Sequence, residues 1–252
     1  MKRISVFIIT HNEEKNIERC LKSISWADEI IMVDSSSGDR TLDIAKKYTK
    51  NIYKKEFTNF SEMKNFALSK TTGDWVLSID ADEEVTDALR DEIKGKVRYM
   101  PDNIAGYFIH RRSHIFGREF KFTGTQDDFQ MRLFRKTEGV FTQPVHEKVL
   151  INGPTAKLKN YMIHYTYRSL GDYTKRLNKY TDMEAAFMKD SGCKPSIAGM
   201  TIKPAAMFMR LYFLRQGFRD GIEGFLFSAL SGMYIFVKNI KLWDLIKAKK
   251  EK

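Results

Sequence analysis

The chain has 252 residues, of which 42% are hydrophobic and 30% are charged, an ordinary composition for a soluble globular protein. Its two cysteines, Cys20 and Cys193, argue against a disulfide framework or a zinc site. The formal net charge of +11 favours an anionic partner such as phosphate groups, acidic lipid or nucleic acid. Because the N-terminal apolar run is too short and too soon followed by charges to be a signal peptide, we expect a cytoplasmic setting.

The first third of the chain alternates strand and helix signals. A buried parallel strand is predicted over residues 4–10, an apolar, β-branched run bounded by polar residues. Asn12 is predicted to cap the helix that follows, with Glu13 and Glu14 in its first turn. Further strands are predicted over residues 29–34, 51–55 and 75–79, with helices between them. This order predicts a doubly wound, mostly parallel α/β sheet with right-handed crossovers.

Polar residues follow three of the predicted strands. They are Thr10 to Glu13, Asp34, and Asp80 to Asp82. Ligands of doubly wound sheets bind beyond the carboxyl ends of the strands, which meet at one edge of the sheet. We therefore expect these side chains to converge on one rim and to form the ligand site.

Beyond residue 105 the pattern changes to extended segments, over residues 106–116, 129–135, 139–150 and 158–167. These segments predict a mixed or antiparallel extension of the sheet, and a helix is predicted over residues 173–189. We expect one α/β domain over residues 1–190, with halves at 1–100 and 101–190. A basic, aromatic helical tail is expected over residues 195–252.

Asp80 and Asp82 flank Ala81 at the end of the fourth predicted strand. In an extended chain, residues two apart project to the same side. Two carboxylates on one side suit a hard divalent ion, Mg²⁺ or Mn²⁺, that bridges a diphosphate. The alternative is a solvated acidic turn that caps the next helix, because this short motif is common by chance.

Three motifs occur together in the first third of the chain. They are THNEE (10–14), VDSSSGDRT (33–41) and GDWVLSIDAD (73–82). In order and spacing they resemble the family 2 glycosyltransferases, which implies the GT-A (nucleotide-diphospho-sugar transferase) fold, a nucleotide-sugar donor and a divalent cofactor. The resemblance is strong over residues 4–84, and the combination is more specific than any single motif.

The resemblance implies a set of donor-binding residues. It assigns nucleotide-sugar binding to Thr10, Asn12, Glu13, Asp34, Lys64, Asp80 and His146, and metal binding to Asp80 and Asp82. Lys64 stands before Asn65 at a position where the family often has arginine. Its implied contact is with the base or the diphosphate, and an ordinary surface lysine is the alternative.

The general base of the transfer is less clearly marked. Many relatives have a Glu-Asp pair after the acceptor region, whereas this chain has PVHE (144–147) after MRLFRK (131–136). Glu147 is the first candidate for the base, which would deprotonate the acceptor hydroxyl, and His146 would orient it or contact phosphate. Asp127 and Asp128 are the competing acids.

Some members of this fold use a late histidine as a third metal ligand. His164, which ends a predicted strand between aromatic residues, is the candidate here, and a buried structural histidine is the alternative. Four strand arginines can recognise acceptor phosphates, or can be solvated charges on the face of a strand. They are Arg111, Arg112, Arg132 and Arg135.

The C-terminal tail predicts a surface for an anionic membrane. Residues 224–237 are uncharged, a run shorter than the roughly 20 residues of a spanning helix, and basic residues flank it. Helices that only pack on the catalytic domain are the alternative. With the His-Glu pair, this layout resembles bacterial lipopolysaccharide core β-1,4-glucosyltransferases. That resemblance implies UDP-glucose as donor, a lipid-linked or phosphorylated saccharide acceptor, and a peripheral location on the inner membrane.

Other functional classes fit less well. The chain has no dinucleotide fingerprint, no P-loop and no nucleic-acid-binding motif, so we expect no nucleic-acid partner. A phosphatase with a D-x-D strand would need Thr or Val at Glu84, and a pyrophosphorylase would need a glycine-rich basic loop after the first strand. A transferase for another cell-surface glycan and a non-catalytic nucleotide-sugar-binding protein remain open.

Overall fold

The computed structural model describes residues 2–99, 103–143 and 148–250. By its contacts the chain divides into two compact units. Unit 1 contains Met1–Arg111 and Asp128–His164, and unit 2 contains Arg112–Asp127 and Tyr165–Lys252. Unit 2 therefore combines a short internal segment with the whole C-terminal region.

The first half of unit 1 alternates strands and helices, as the sequence predicts. In chain order these elements are β1 (Ile4–Thr10), α1 (Ile17–Ser23), β2 (Glu29–Asp34), α2 (Thr41–Ala45), β3 (Asn51–Lys54), α3 (Phe60–Lys70), β4 (Trp75–Asp80), β5 (Glu83–Val85) and α4 (Asp87–Tyr99). The first four strands are parallel and lie in the order β3-β2-β1-β4. The predicted parallel sheet is confirmed.

The sheet continues with antiparallel strands, which confirms the predicted mixed extension. The further strands are β6 (Gly106–Ile115), β7 (Arg118–Glu119), β8 (Phe129–Arg135), β9 (Gly139–Thr142), β10 (Lys148–Ile151) and β11 (Thr155–Tyr167). β8 pairs antiparallel with β4 and β6, and β11 pairs antiparallel with β5. β9 and β10 form a separate antiparallel pair, so the single segment predicted over residues 139–150 is two strands.

The parallel strands are apolar on both sides because helices cover both faces of the sheet. In β1, Val6 and Ile8 belong to one buried cluster and Phe7 to the other. The second cluster includes Phe141, whose ring meets the Phe7 ring edge-on at 5.8 Å between centroids. This two-sided core holds the strand ends in fixed register, and the candidate site lies at those ends.

The segment after β1 does not begin the helix that the sequence predicts there. β1 ends at Thr10, whereas α1 begins only at Ile17, with Asn16 at its N-cap position. Asn12 instead has a left-handed backbone with φ of 55°. The capping role predicted for Asn12 is wrong, because its side chain bonds to a different loop.

Unit 2 is mainly helical. Its helices are α5 (Leu170–Asp190), α6 (Ile197–Met200), α7 (Ile202–Met209) and α8 (Gly221–Lys250), with a π-helical turn at Arg210–Leu214 and a 3₁₀ turn at Gly217–Asp220. α5 confirms the helix predicted over residues 173–189. The segment Gly217–Ala248 is long and apolar enough to cross a membrane, judged by length and composition alone.

Asp220 fixes the loop that precedes α8, and its removal gives a first testable prediction. Its carboxylate is 2% exposed and accepts hydrogen bonds from the Lys121 and Phe122 backbones and from the Thr123 hydroxyl. We expect Asp220→Ala to lower the free energy of unfolding by about 2–4 kcal/mol, because these donors would lose their acceptor. Urea unfolding measures the loss. Asp244→Ala, at an exposed carboxylate of α8, is the control, and an equal loss there would contradict the prediction.

Candidate active site at the carboxyl ends of the strands

The ends of three parallel strands bring predicted site residues side by side. Thr10 at the end of β1 is in register with Asp34 at the end of β2. On the other side of β1, Ile9 is in register with Asp80 at the end of β4. The predicted convergence of the three strand ends on one rim is therefore present in the structure.

Asp34 and Thr10 are both buried, but their hydrogen bonding differs. Asp34 is 0% exposed, and its two oxygens accept from the Ser37 backbone N–H at 2.9 Å and the Ser37 hydroxyl at 2.5 Å. It therefore holds the turn that follows β2. Thr10 is 6% exposed, and its hydroxyl oxygen has no hydrogen-bond partner within the described part of the chain. An unsatisfied hydroxyl at the rim is a donor and acceptor that a ligand can use.

The loops after β1 and β2 are hydrogen-bonded to each other. The Asn12 side-chain oxygen accepts from the Gly38 backbone N–H at 2.8 Å, and the Asn12 N–H donates to the Ser37 hydroxyl at 2.9 Å. The Glu13 N–H donates to the Thr41 hydroxyl at 2.8 Å. Asn12 and Glu13 thus join the two loops into one surface beside Thr10 and Asp34. Their roles in nucleotide binding stay predictions.

Asp80 is held between two buried cations. The Lys64 ammonium lies 3.0 Å from one carboxylate oxygen, and the Arg132 guanidinium donates to the other at 2.5 Å. Burial alone would raise the pKa of Asp80, but Arg132 and then Lys64 outweigh it and hold that pKa well below its usual range. The Lys64 side chain is only 3% exposed, so the surface-lysine alternative is wrong.

Glu83, which the sequence does not single out, organises this part of the site. It is 0% exposed, and one oxygen accepts from Arg132 at 2.5 Å and from Arg111 at 3.2 Å. Its other oxygen accepts from the Asp80 backbone N–H at 2.9 Å. Burial lowers the pKa of Arg132, but Asp80 and Glu83 outweigh it and raise that pKa above its usual value. The sequence does carry an indication of this role for Glu83, because Glu83 is an acidic residue directly after the D-x-D motif.

The four strand arginines separate into two groups. Arg111 and Arg132 have side chains 18% and 6% exposed and form ion pairs within unit 1, so a solvated strand-face position is wrong for both. Arg112 pairs with Glu119 in unit 2. Arg135 donates to the Ile104 carbonyl, and its guanidinium lies 4.9 Å from the Trp75 ring centroid.

The candidates for the general base fall in different places. Asp128 is in unit 1, where it pairs with Arg111 at 2.9 Å and accepts from Gln130 at 2.7 Å. Asp127 is in unit 2, largely exposed, and pairs with Arg215 at 2.6 Å. Glu147 and His146 lie outside the described residues. Of the two candidate acids that the structure describes, Asp128 is the one joined to the Glu83 network, through Arg111.

Asp82 and His164 face each other. The carboxylate oxygen lies 3.7 Å from the imidazole Nε2, and the two side chains are 11% and 15% exposed. Burial lowers the pKa of His164, but Asp82 outweighs it and raises that pKa above its ordinary value. The sequence prediction that places His164 beside the D-x-D motif therefore agrees with the observed contact.

The donor atoms of this pair suit a divalent ion. A carboxylate oxygen and an imidazole nitrogen are ligands that Mn²⁺ accepts, and Mg²⁺ commonly takes only one or two protein ligands besides substrate oxygens. Within residues 2–99, 103–143 and 148–250, no three His, Cys, Asp or Glu side chains lie close enough together to hold a metal ion. Asp80 pairs with Lys64 and Arg132, whereas Asp82 and His164 face each other, so these two are the better placed of the three predicted metal ligands. The metal roles of all three stay predictions.

The sequence of this chain is similar to those of known glycosyltransferases. The sequence profile of glycosyl transferase family 2 matches residues 5–156. A lipopolysaccharide core biosynthesis glycosyltransferase (LpsC) of Rhizobium meliloti is 28% identical over 96% of this chain and 92% of its own length. An uncharacterized glycosyltransferase of Rickettsia bellii is 31% identical over 97% of this chain and 87% of its own.

Solved structures share the fold. The mannosyltransferase PcManGT of Pyrobaculum calidifontis, in complex with GDP-Man and Mn²⁺, matches with a TM-score of 0.56 at 15% identity, over 96% of this chain and 88% of its own. A glucosyl-3-phosphoglycerate synthase of Mycobacterium tuberculosis, with Mn²⁺, UDP-glucose and phosphoglyceric acid, matches with a TM-score of 0.50 at 17% identity, over 77% and 82%. At these identities the likeness shows the fold alone, and that fold is the predicted GT-A fold.

Proposed function

Because the chain belongs to glycosyl transferase family 2, we propose that it moves glucose from UDP-glucose to a saccharide of the lipopolysaccharide core. The observation that carries the proposal is the rim at the ends of β1, β2 and β4. There Asp80 lies between a buried lysine and a buried arginine, and Asp82 faces His164. Thr10 and Asp34 are in register on the neighbouring strands. Anionic and cationic groups together suit a metal-bound nucleoside diphosphate. The named activity of the Rhizobium meliloti relative supports the choice of acceptor.

Each part of the rim has a proposed task. The Thr10 hydroxyl, the joined loops carrying Asn12 and Glu13, and Asp34 would bind the nucleoside. Lys64 and Arg132, now paired with Asp80, would face the diphosphate. Asp82 and His164 would hold Mg²⁺ or Mn²⁺, which neutralises charge on the departing UDP. The solved neighbours with Mn²⁺ and a nucleotide-sugar support this arrangement.

The transfer would invert the anomeric centre, and it needs a base for the acceptor hydroxyl. Glu147 remains the first candidate, with His146 orienting it or contacting phosphate. Asp128 is the better placed of the other two acids, because its partner Arg111 also binds Glu83. Asp127 would act only if the acceptor reached unit 2.

The acceptor and the cellular location follow from the same proposal. A lipid-linked or phosphorylated saccharide would match the net charge of +11 and the basic C-terminal region. We propose that the protein works in the cytoplasm, as a peripheral protein on the inner membrane. An acceptor from another cell-surface glycan would use the same donor site.

Donor specificity is the most direct test. We expect UDP-glucose with Mn²⁺ to raise the melting temperature by about 5–10 °C at 100 times its dissociation constant, because binding to the folded state alone adds about 2.7 kcal/mol. GDP-mannose, the matched control at equal concentration, is expected to shift it by much less. A larger shift with GDP-mannose would contradict the proposed donor.

Turnover separates an enzyme from a binding protein. UDP release is measured with UDP-glucose, Mn²⁺ and lipopolysaccharide core acceptors, alongside acceptors from other surface glycans. We expect release above the acceptor-free rate with the core saccharide. Donor binding without acceptor-dependent release would favour a non-catalytic nucleotide-sugar-binding protein and would overturn the enzymatic proposal.

A further inference from the structure

One side of α8 is tied to α5 by polar contacts. The Tyr234 hydroxyl and the Lys238 ammonium both bind the Glu184 carboxylate, at 2.7 Å and 2.8 Å. One turn further along, the Lys241 ammonium lies 2.7 Å from Asp182. These contacts fix which side of α8 faces α5, and that side carries charge.

The opposite side of α8 is apolar and exposed. Two positions along an α-helix correspond to a rotation of about 200°, so Phe236, Ile240 and Trp243 lie opposite Tyr234, Lys238 and Lys241. The apolar stripe of α8, as we call it, consists of exposed residues three, four or seven positions apart: Ile222, Leu226, Met233, Phe236, Ile240 and Trp243. It runs along one face over residues 222–243 of the 30-residue helix.

A second exposed apolar group lies in the loop between α7 and α8. This tip consists of Phe213, Leu214 and Phe218, which are 50%, 79% and 52% exposed. The loop is well anchored despite this exposure. The Thr123 N–H donates to the Arg215 carbonyl at 2.9 Å, and Asp220 accepts three hydrogen bonds from residues 121–123. The tip is therefore presented by a fixed backbone.

The length and composition of α8 fit two membrane geometries. Gly217–Ala248 contains an 18-residue stretch with a mean hydropathy of 1.2, and only 22% of that stretch is buried. It could cross a bilayer or lie along its surface. Crossing would draw Asp182 and Glu184 into the hydrocarbon or separate them from their partners on α8. A charged side chain at the bilayer centre is strongly unfavourable, so the contacts with α5 favour the surface geometry.

Charge distinguishes a lipid surface from a second copy of the chain. Residues 201–252 contain ten Lys and Arg against four Asp and Glu. Two of the ten, Lys238 and Lys241, pair with acids of α5, and the other eight basic residues still outnumber the four acids. Pairing two such surfaces would bring like charges together, whereas anionic headgroups would be attracted. The Lys247 ammonium lies 5.3 Å from the Trp243 ring centroid, so a basic group adjoins the stripe at a residue type suited to the headgroup region.

We propose that α8 lies in the plane of an anionic bilayer, with its apolar stripe and the tip immersed at the boundary between headgroups and acyl chains. The helix does not cross the membrane. This membrane position deepens the proposed function. It rests on that function, because a lipid-linked acceptor is the reason for the protein to meet a membrane. Vesicle binding is measured without donor or acceptor. A chain that fails to bind vesicles can therefore be distinguished from a chain that fails to catalyse the proposed transfer.

The first experiment measures binding of the full chain to vesicles of phosphatidylcholine with 30% phosphatidylglycerol. We expect the combined Met233→Gln, Phe236→Gln and Ile240→Gln variant to bind at least about 100-fold more weakly, because three large side chains would no longer leave water. The matched control is Phe57→Gln, Val140→Gln and Leu150→Gln, which alters three exposed apolar residues of unit 1 and is expected to bind normally. Melting temperature and UDP-glucose binding should stay unchanged in both.

Three results of that experiment would overturn the proposal. They are no vesicle binding by the unaltered chain, equal binding by the stripe variant and the parent, and equal binding to pure phosphatidylcholine vesicles. A stripe variant that changes from dimer to monomer in light scattering, with its vesicle binding intact, would instead make the stripe an interface between copies. That result too would overturn it.

A second experiment distinguishes lying from crossing. It measures how strongly lipids brominated at defined depths quench the fluorescence of one tryptophan on α8. That tryptophan is Trp243 in the unaltered chain. In the Trp243→Phe chain it is placed instead by Leu226→Trp or Phe236→Trp. The Trp243→Phe chain supplies the background of Trp26 and Trp75. An in-plane helix gives one shallow depth for all three positions. A crossing helix would separate positions 226 and 243 by about 25 Å, at 1.5 Å per residue, and that outcome would refute the in-plane geometry.

Discussion

Asp82→Asn is expected to lower kcat/KM for glycosyl transfer by about 10²–10³-fold. The substitution removes the carboxylate that faces His164 at 3.7 Å, and with it the charge that this pair would offer a divalent ion. Loss of one well-placed electrostatic group at a reacting centre commonly costs about 3–4 kcal/mol. Rates of UDP release across a Mn²⁺ titration measure the effect. We expect the variant to need far more Mn²⁺ for its residual activity.

The matched control for Asp82→Asn is Asp87→Asn. Asp87 is an acid five residues further along, at the start of α4, where its side chain is 89% exposed and pairs with Arg90. The control is expected to keep full activity and normal Mn²⁺ dependence. A metal-site role for Asp82 is rejected if Asp82→Asn also keeps both. His164→Gln is a second test of the site. We expect this variant to bind Mn²⁺ more weakly while its melting temperature stays close to that of the parent.

Arg132→Met is expected to lower the free energy of unfolding by about 3–5 kcal/mol. Arg132 donates to both Asp80 and Glu83, and Glu83 is fully buried, so removing the cation leaves an undercompensated charge in the interior. We also expect a large loss of activity, because Asp80 would lose one of the two cations that position it. Urea unfolding and UDP release measure the two effects separately.

A double variant separates the structural effect from the effect on the site. Arg132→Met with Glu83→Gln removes the buried charge together with its partner, so we expect it to regain part of the lost stability. Activity is not expected to return, since Asp80 is still without Arg132. Arg90→Met, which breaks an exposed pair of α4, should cost less than about 1 kcal/mol. A loss for Arg132→Met as small as that for Arg90→Met would contradict the buried network.

The parts of the fold that could be predicted from sequence are those set by local patterns. The run over residues 129–135 predicts a strand with the bounds of β8, and the apolar run before Asp80 predicts β4. Parallel strands place their carboxyl ends at one edge, so the rim followed from chain order alone. Chain order in this way predicts that Thr10 and Asp34 lie side by side, as the strand register shows.

The partners of charged side chains could not be predicted in the same way. Lys64 and Arg132 look like surface residues in sequence because long basic side chains are usually solvated. Their burial depends on Asp80, which is 52 residues from Arg132 along the chain. Glu83 could be taken for one acid of a solvated turn for the same reason. Local rules also failed at Asn12, where a hydrogen bond to another loop replaces the expected helix cap.

In the proposed nucleoside site, the hydrogen bonds between the loops after β1 and β2 affect how donor preference can evolve. Asn12 and Gly38 are 26 residues apart, yet the turn that Asp34 supports is also held by Asn12. A substitution in one loop therefore disturbs the other. A single change would weaken binding of the present nucleotide before it allowed a different nucleobase to bind. Libraries aimed at a different nucleotide should vary residues 11–14 and 35–39 together, and natural paralogues with other donors should differ in both segments at once.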